Sequence, residues 1–224
     1  MPTPPEHEST SPTPSAARPG PGTPTGGASV LPSAAARTSV ATDVALVSTF
    51  AAFIAVCALL PAIPVAGLAV PITLQTFGVM LAGTVLGARR GALAALLYVV
   101  VGLAGLPVFS GGAGGLAIVG GASFGYLLAF PIAAAIAGAL VTAGRRARTG
   151  RLPLVVFGAA MAGSLLATHP LGITVMGWRL GMGPAEAIAT GATFLPGDVI
   201  KNVLVAVVAT AVFRAFPDML RHRR

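Results

Sequence analysis

Charge is scarce in this 224-residue sequence: Asp, Glu, Lys and Arg make up 9% of it, against roughly a quarter in an average soluble domain. That shortage excludes an ordinary water-soluble globule. Cysteine occurs once, as Cys57 within an apolar stretch, which excludes an intrachain disulfide and a cysteine-built metal cluster. Lysine also occurs once. Because Lys201 follows Ile200, the Gly-Lys pair of a nucleotide-binding P-loop cannot form, so any ATP-driven step needs another chain. His7, His169 and His222 are scattered, no Ser/His pair stands in a nucleophile-elbow pattern, and one Asp within the apolar segments is short of an aspartyl dyad. The chain therefore reads as neither an enzyme nor a holder of a metal or cofactor. Its net charge of +8 does not indicate nucleic-acid binding, because the arginines lie between apolar runs rather than along one stripe.

What the sequence has is long uncharged stretches. Residues 44–88, 91–144 and 152–178 carry no Asp, Glu, Lys or Arg, and the apolar segment 190–213 carries only Asp198 and Lys201. At about 20 residues per crossing, these stretches predict an all-α membrane protein with about six transmembrane helices. Proline and glycine punctuation predicts helices from Val44 to Leu60, Pro71 or Ile72 to Leu86, Gly91 to Leu103, Phe124 to Ala143, Leu152 to Met176 and Ala192 to Phe213. The glycine-rich segment 105–121 is excluded as a lipid-facing helix, since lipid cannot satisfy its open backbone groups. Residues 1–43, rich in Pro, Thr, Ser and Gly, read as a disordered cytoplasmic tail without the apolar core of a secretory signal. Residues 44–214 form the membrane domain, and residues 215–224 a basic cytoplasmic tail.

Arginine placement predicts orientation. With the N-terminal tail inside, the inner face receives Arg89, Arg90, Arg145, Arg146, Arg148, Arg151 and Arg214 together with the tail arginines, and the outer loops receive Arg179 alone. The outer side then holds the loop from Pro61 to Val70, the glycine-rich segment and the loop from Gly177 to Thr190. These loops predict an outward-facing pocket in a multi-pass plasma-membrane protein with both termini cytoplasmic.

Few polar side chains interrupt the apolar segments. Asp198 and Lys201, three residues apart, share one helix face. An unsupported charge at mid-membrane costs about 2.5–3.5 kcal/mol on insertion scales, so the two either satisfy each other or grip a dipolar ligand. Pro196 and Gly197 just before them predict a helix break that frees backbone donors. Gln75, about one turn into the second helix, fits either a ligand contact or an interhelical hydrogen bond. Of Tyr98 and Tyr126, the second is favoured as a ligand contact because it follows the glycine-rich segment. His169-Pro170 reads as a helix kink, with His169 bonded to a carbonyl that Pro170 leaves free.

Several blocks in order resemble the BioY family: Val70-Pro71-Ile72-Thr73-Leu74-Gln75-Thr76-Phe77, Gly102-Leu103-Ala104-Gly105-Leu106-Pro107-Val108-Phe109, Gly111-Gly112-Ala113-Gly114-Gly115, Gly125-Tyr126 and Phe194-Leu195-Pro196-Gly197-Asp198-Val199-Ile200-Lys201. The resemblance covers about residues 44–214. It implies a biotin-binding S component of an energy-coupling factor (ECF) transporter, a six-helix bundle energised by a transmembrane coupling subunit and two cytoplasmic ATPase subunits. The alternatives are an S component for another vitamin, or an autonomous small-molecule carrier. Carried over position by position, the family's substrate-binding residues are Asp198, Lys201, Gln75 and Tyr126. The chain departs from the family at Gly121-Ala122-Ser123, where Gly-Pro-Thr is frequent, and at Thr193, where a proline is frequent. Residues 105–126 also lack the arginine some members carry, which leaves the biotin carboxylate to backbone donors, Ser110, Tyr126 or water. Similar S components dock the coupling subunit through an alanine pair on helix 1, and Ala51 and Ala55 stand at the small-xxx-small spacing such contacts use.

Overall fold

The structure, a computed structural model, describes residues 40–64, 70–144 and 149–217. The expected tails fall almost wholly outside these residues, as do Arg145, Arg146 and Arg148. Eight helices are described: α1 (Val40–Leu59), α2 (Gln75–Leu86), α3 (Ala88–Leu103), α4 (Phe124–Ala143), α5 (Leu152–Gly163), α6 (His169–Leu180), α7 (Pro184–Ala192) and α8 (Leu195–Ala215). A π-helical turn, Ser164–Thr168, joins α5 to α6, so that Leu152–Leu180 runs as one 29-residue helical span. α4 lies at the centre and packs against α2, α3, α5 and α6, while α8 closes against α2 and α5.

Small side chains fill the interior. Ala82, Ala94, Ala95, Ala129, Ala133, Ala134, Ala137 and Ala160 are fully buried, whereas Leu128, Leu166, Ile200 and Val207 point outward. This reverses the arrangement of a soluble core and matches a bundle in lipid, where outward apolar groups lose nothing and close packing of small residues holds helices together. At the tightest crossing a Cβ on Gly83 would stand 2.8 Å from the Cα of Ala134, closer than any side chain permits. Gly87, with φ of 88°, turns the chain from α2 into α3 through a single residue, in a backbone conformation that favours glycine.

Among the described residues, four helical spans are long and apolar enough to cross a membrane: Val40–Leu59, Phe124–Ala143, Leu152–Leu180 and Leu195–Ala215. The chain is an all-helical membrane protein. The expected second and third helices are present but short: α2 has 12 residues and α3 has 16, or about 18 and 24 Å at 1.5 Å per residue. α2 starts at Gln75 rather than at Pro71, because the preceding strand-like residues pair instead. Ile63 and Ile72 exchange backbone hydrogen bonds of 2.8 and 3.0 Å.

The fourth helix has the expected bounds, and others differ. Residues 184–190, expected within a loop, belong to α7, opened by Pro184 in its first turn. No break occurs at Pro196-Gly197. Proline is tolerated in a first turn, where its missing N–H is not required, so Pro196 lies at the start of α8. The expected kink at Pro170 takes the form of the π turn, in which the His169 N–H reaches back to the Ser164 carbonyl. The glycine-rich segment is irregular as expected, with 3-10 turns at Ser110–Gly112 and Leu116–Gly120.

Candidate functional site

The first turns of α2, α4 and α8 converge, and the extended residues 70–73 and the turns after α3 close over them. The space they enclose is a cavity of about 230 Å³. Asp198, Lys201, Gln75 and Tyr126 all line it. Gln75, Tyr126 and Asp198 stand in the first turns of α2, α4 and α8, and Lys201 lies one turn beyond Asp198.

Asp198 and Lys201 are paired. The Lys201 Nζ lies 2.6 Å from Asp198 Oδ1, and both residues are buried, at 4% and 8% exposure. Thr76, missed as a site residue in the sequence, completes the arrangement. Its hydroxyl accepts from Lys201 Nζ at 2.7 Å and donates to Asp198 Oδ1 at 3.2 Å. Lys201 also donates to the Thr73 carbonyl at 3.2 Å. An ammonium has three donors, so three partners occupy Lys201 fully and tie α8 to the start of α2. The position of Asp198 in the first turn of α8 adds a favourable interaction with the helix dipole.

The interhelical hydrogen bond expected as one alternative for Gln75 is present. Its Nε2 donates to the Tyr98 hydroxyl, its Oε1 accepts from Thr73 Oγ1 at 3.0 Å, and it still borders the cavity. Tyr98 supports the wall from behind, its ring edge-on to Phe109 at 5.4 Å. Tyr126 packs edge-on against Phe194 at 5.9 Å, over Gly172, where any Cβ would strike the ring. Its hydroxyl is buried and has no hydrogen-bond partner among the described residues, and the same holds for Thr168 Oγ1 on the cavity wall. A buried polar atom without a partner costs free energy, so both hydroxyls are suited to bond a ligand or water. Ser110 also lines the cavity.

His169 is not bonded to a freed carbonyl. Its Nε2 lies 3.0 Å from Asp198 Oδ2, and His169 is not among the residues lining the cavity. The proline beside it offered a local explanation, and the carboxylate belongs to a different helix, so no local pattern signals this contact. Ala51, at 6% exposure, packs into the bundle core. Ala55 is half-buried, and the exposed small side chains of α1 are Ala41, Thr42, Ala45, Ser48, Thr49 and Ala52.

The family model for BioY matches residues 30–218. The chain belongs to the BioY family. Its relatives include the biotin transporter BioY of Rhizobium etli, 41% identical over 179 residues that cover 78% of this chain and 95% of the relative. The biotin transporter BioY of Rhodobacter capsulatus is 40% identical over 194 residues, covering 81% and 98%. A crystal structure of the S-component for biotin from an ECF-type ABC transporter superposes with a TM-score of 0.70 at 25% identity, over 80% of this chain and 94% of that one.

Proposed function

We propose that this BioY chain is a biotin-binding membrane subunit for biotin uptake and not an enzyme. The observation that carries the reading is the buried Asp198–Lys201–Thr76 arrangement on the wall of a cavity, in a chain whose relatives are biotin transporters. An ionised carboxylate has about four acceptor positions. Lys201 and Thr76 occupy those on Oδ1, and among the described residues Oδ2 faces only His169, which leaves an acceptor for a ureido N–H of biotin. The ureido oxygen suits the hydroxyl of Tyr126. Lys201 then serves the site by holding Asp198 rather than by touching the ligand.

Six crossings are proposed, with α2 extended by residues 70–74 and α7 at the outer end. Arg89, Arg90, Arg151 and Arg214 belong to the helix ends opposite the cavity, so the positive-inside rule turns the cavity outward and both termini to the cytoplasm. A transmembrane coupling subunit and two cytoplasmic ATPase subunits supply the energy. The coupling subunit docks on the α1 face of Ala45, Thr49, Ala52 and Val56. α1 supports this choice, being the least enclosed span: only 17% of its apolar window is buried within the chain. Expression in a biotin-requiring host with this coupling module is expected to restore growth on trace biotin. No growth, or rescue by a different vitamin's transport instead, overturns the reading.

A further inference from the structure

His169 is 5% exposed, and neither ring nitrogen has a formed hydrogen bond among the described residues. The Nε2 atom nevertheless stands 3.0 Å from Asp198 Oδ2, within hydrogen-bonding distance. With its proton on Nε2 the imidazole donates to the carboxylate, and Nδ1 remains a bare acceptor. The backbone is arranged for this approach. The π turn inserts one residue between α5 and α6, and an extra residue rotates the α6 side chains by about 100° relative to an uninterrupted helix. Thr168, the last residue of that turn, faces the cavity, and His169 comes next, behind Asp198.

We propose that His169 is a positioning residue, fixing through Nε2 the orientation of the Asp198 carboxylate that meets the ligand. It acts through Asp198 and is not itself among the residues lining the cavity. Without a donor at Oδ2, the carboxylate is held only on its Oδ1 side, by Lys201 and Thr76, and is free to swing about that oxygen. The inference rests on the biotin reading for its ligand, but not for the pair itself.

Two variants of equal chain length separate positioning from space filling. His169→Gln keeps an N–H donor where Nε2 stood, and His169→Met fills a similar volume without one. Hydrogen bonds to charged groups support a loss of about tenfold or more in biotin affinity for His169→Met, with His169→Gln within about threefold of wild type. Equal affinities in the two variants overturn the proposal. A measurement on the unaltered chain covers the case in which a variant does not insert. The chain has three histidines, so nitrogen-15 histidine labelling gives few signals. One ring is expected to shift both on biotin addition and in Asp198→Asn without biotin. Absence of the Asp198→Asn shift overturns the pair, whereas failure of the wild-type chain to bind biotin overturns the functional reading and leaves that shift to test the pair.

Discussion

Replacing Lys201 with methionine removes the ammonium 2.6 Å from Asp198 Oδ1 and leaves a carboxylate of 4% exposure with Thr76 and His169 as its close polar neighbours. Breaking a buried ion pair on one side costs about 3–5 kcal/mol, because the remaining charge stays desolvated. For a chain of this length each kcal/mol lowers the melting temperature by about 2–4 °C, so the expected fall is roughly 6–20 °C. The second variant, Asp198→Asn with Lys201→Met, leaves no uncompensated charge. Most of the lost stability should return, since the neutral pair is no longer penalised by burial. Biotin binding should not return, because the charged acceptor is gone. Thermal unfolding and equilibrium binding of both variants in the same detergent separate the two effects. A Lys201→Met chain as stable as wild type, or a double variant no more stable than the single, would refute the reasoning that the pair is a mutually dependent buried unit.

The same geometry carries other expected outcomes. Tyr126→Phe deletes a hydroxyl that has no hydrogen-bond partner among the described residues, so affinity for biotin should fall about 2- to 12-fold with no loss of thermal stability; unchanged affinity removes Tyr126 as a polar contact. Because Lys201 has three partners already, the ligand carboxylate is expected at the solvated mouth, and biotin methyl ester should compete within about fivefold of biotin, the scale of an exposed charge interaction. A far weaker ester shows instead that a cation holds the carboxylate. Ala52→Trp, on the exposed face of α1, should reduce co-purification with the coupling subunit while sparing biotin binding, and intact complexes move the docking surface elsewhere. In a Cys57→Ser background, a cysteine at Gly181 should react with an impermeant reagent from outside and one at Thr149 should not; the opposite pattern inverts the topology.

The cavity's ionic pair was readable in the sequence because charge within a long apolar stretch is costly enough to require a purpose. Gln75 and Tyr126 were legible for a related reason, as scarce polar groups near helix starts. Thr73 and Thr76 were not, because threonine is unremarkable in a membrane helix and their role depends on α8 meeting α2. The inward orientation of Ala51 was hidden by α1 itself: an Ala-rich helix that is apolar nearly all round has no polar stripe to mark its outer face. Pro71 is a plausible helix start in the sequence, whereas the competing backbone pairing of Ile72 with Ile63, which delays α2 to Gln75, lies beyond local pattern. The π turn shows the same limit, as Pro170 marks an irregularity without specifying which kind.

The most direct test of the account is equilibrium binding of radiolabelled biotin to the purified chain in lipid nanodiscs, without ATP or partner subunits, alongside Asp198→Ala. The account predicts one saturable site per chain and an affinity about 10- to 150-fold weaker in the variant, the range for a lost hydrogen bond to a charged group. No saturable binding, or equal binding by a correctly inserted Asp198→Ala chain, contradicts it.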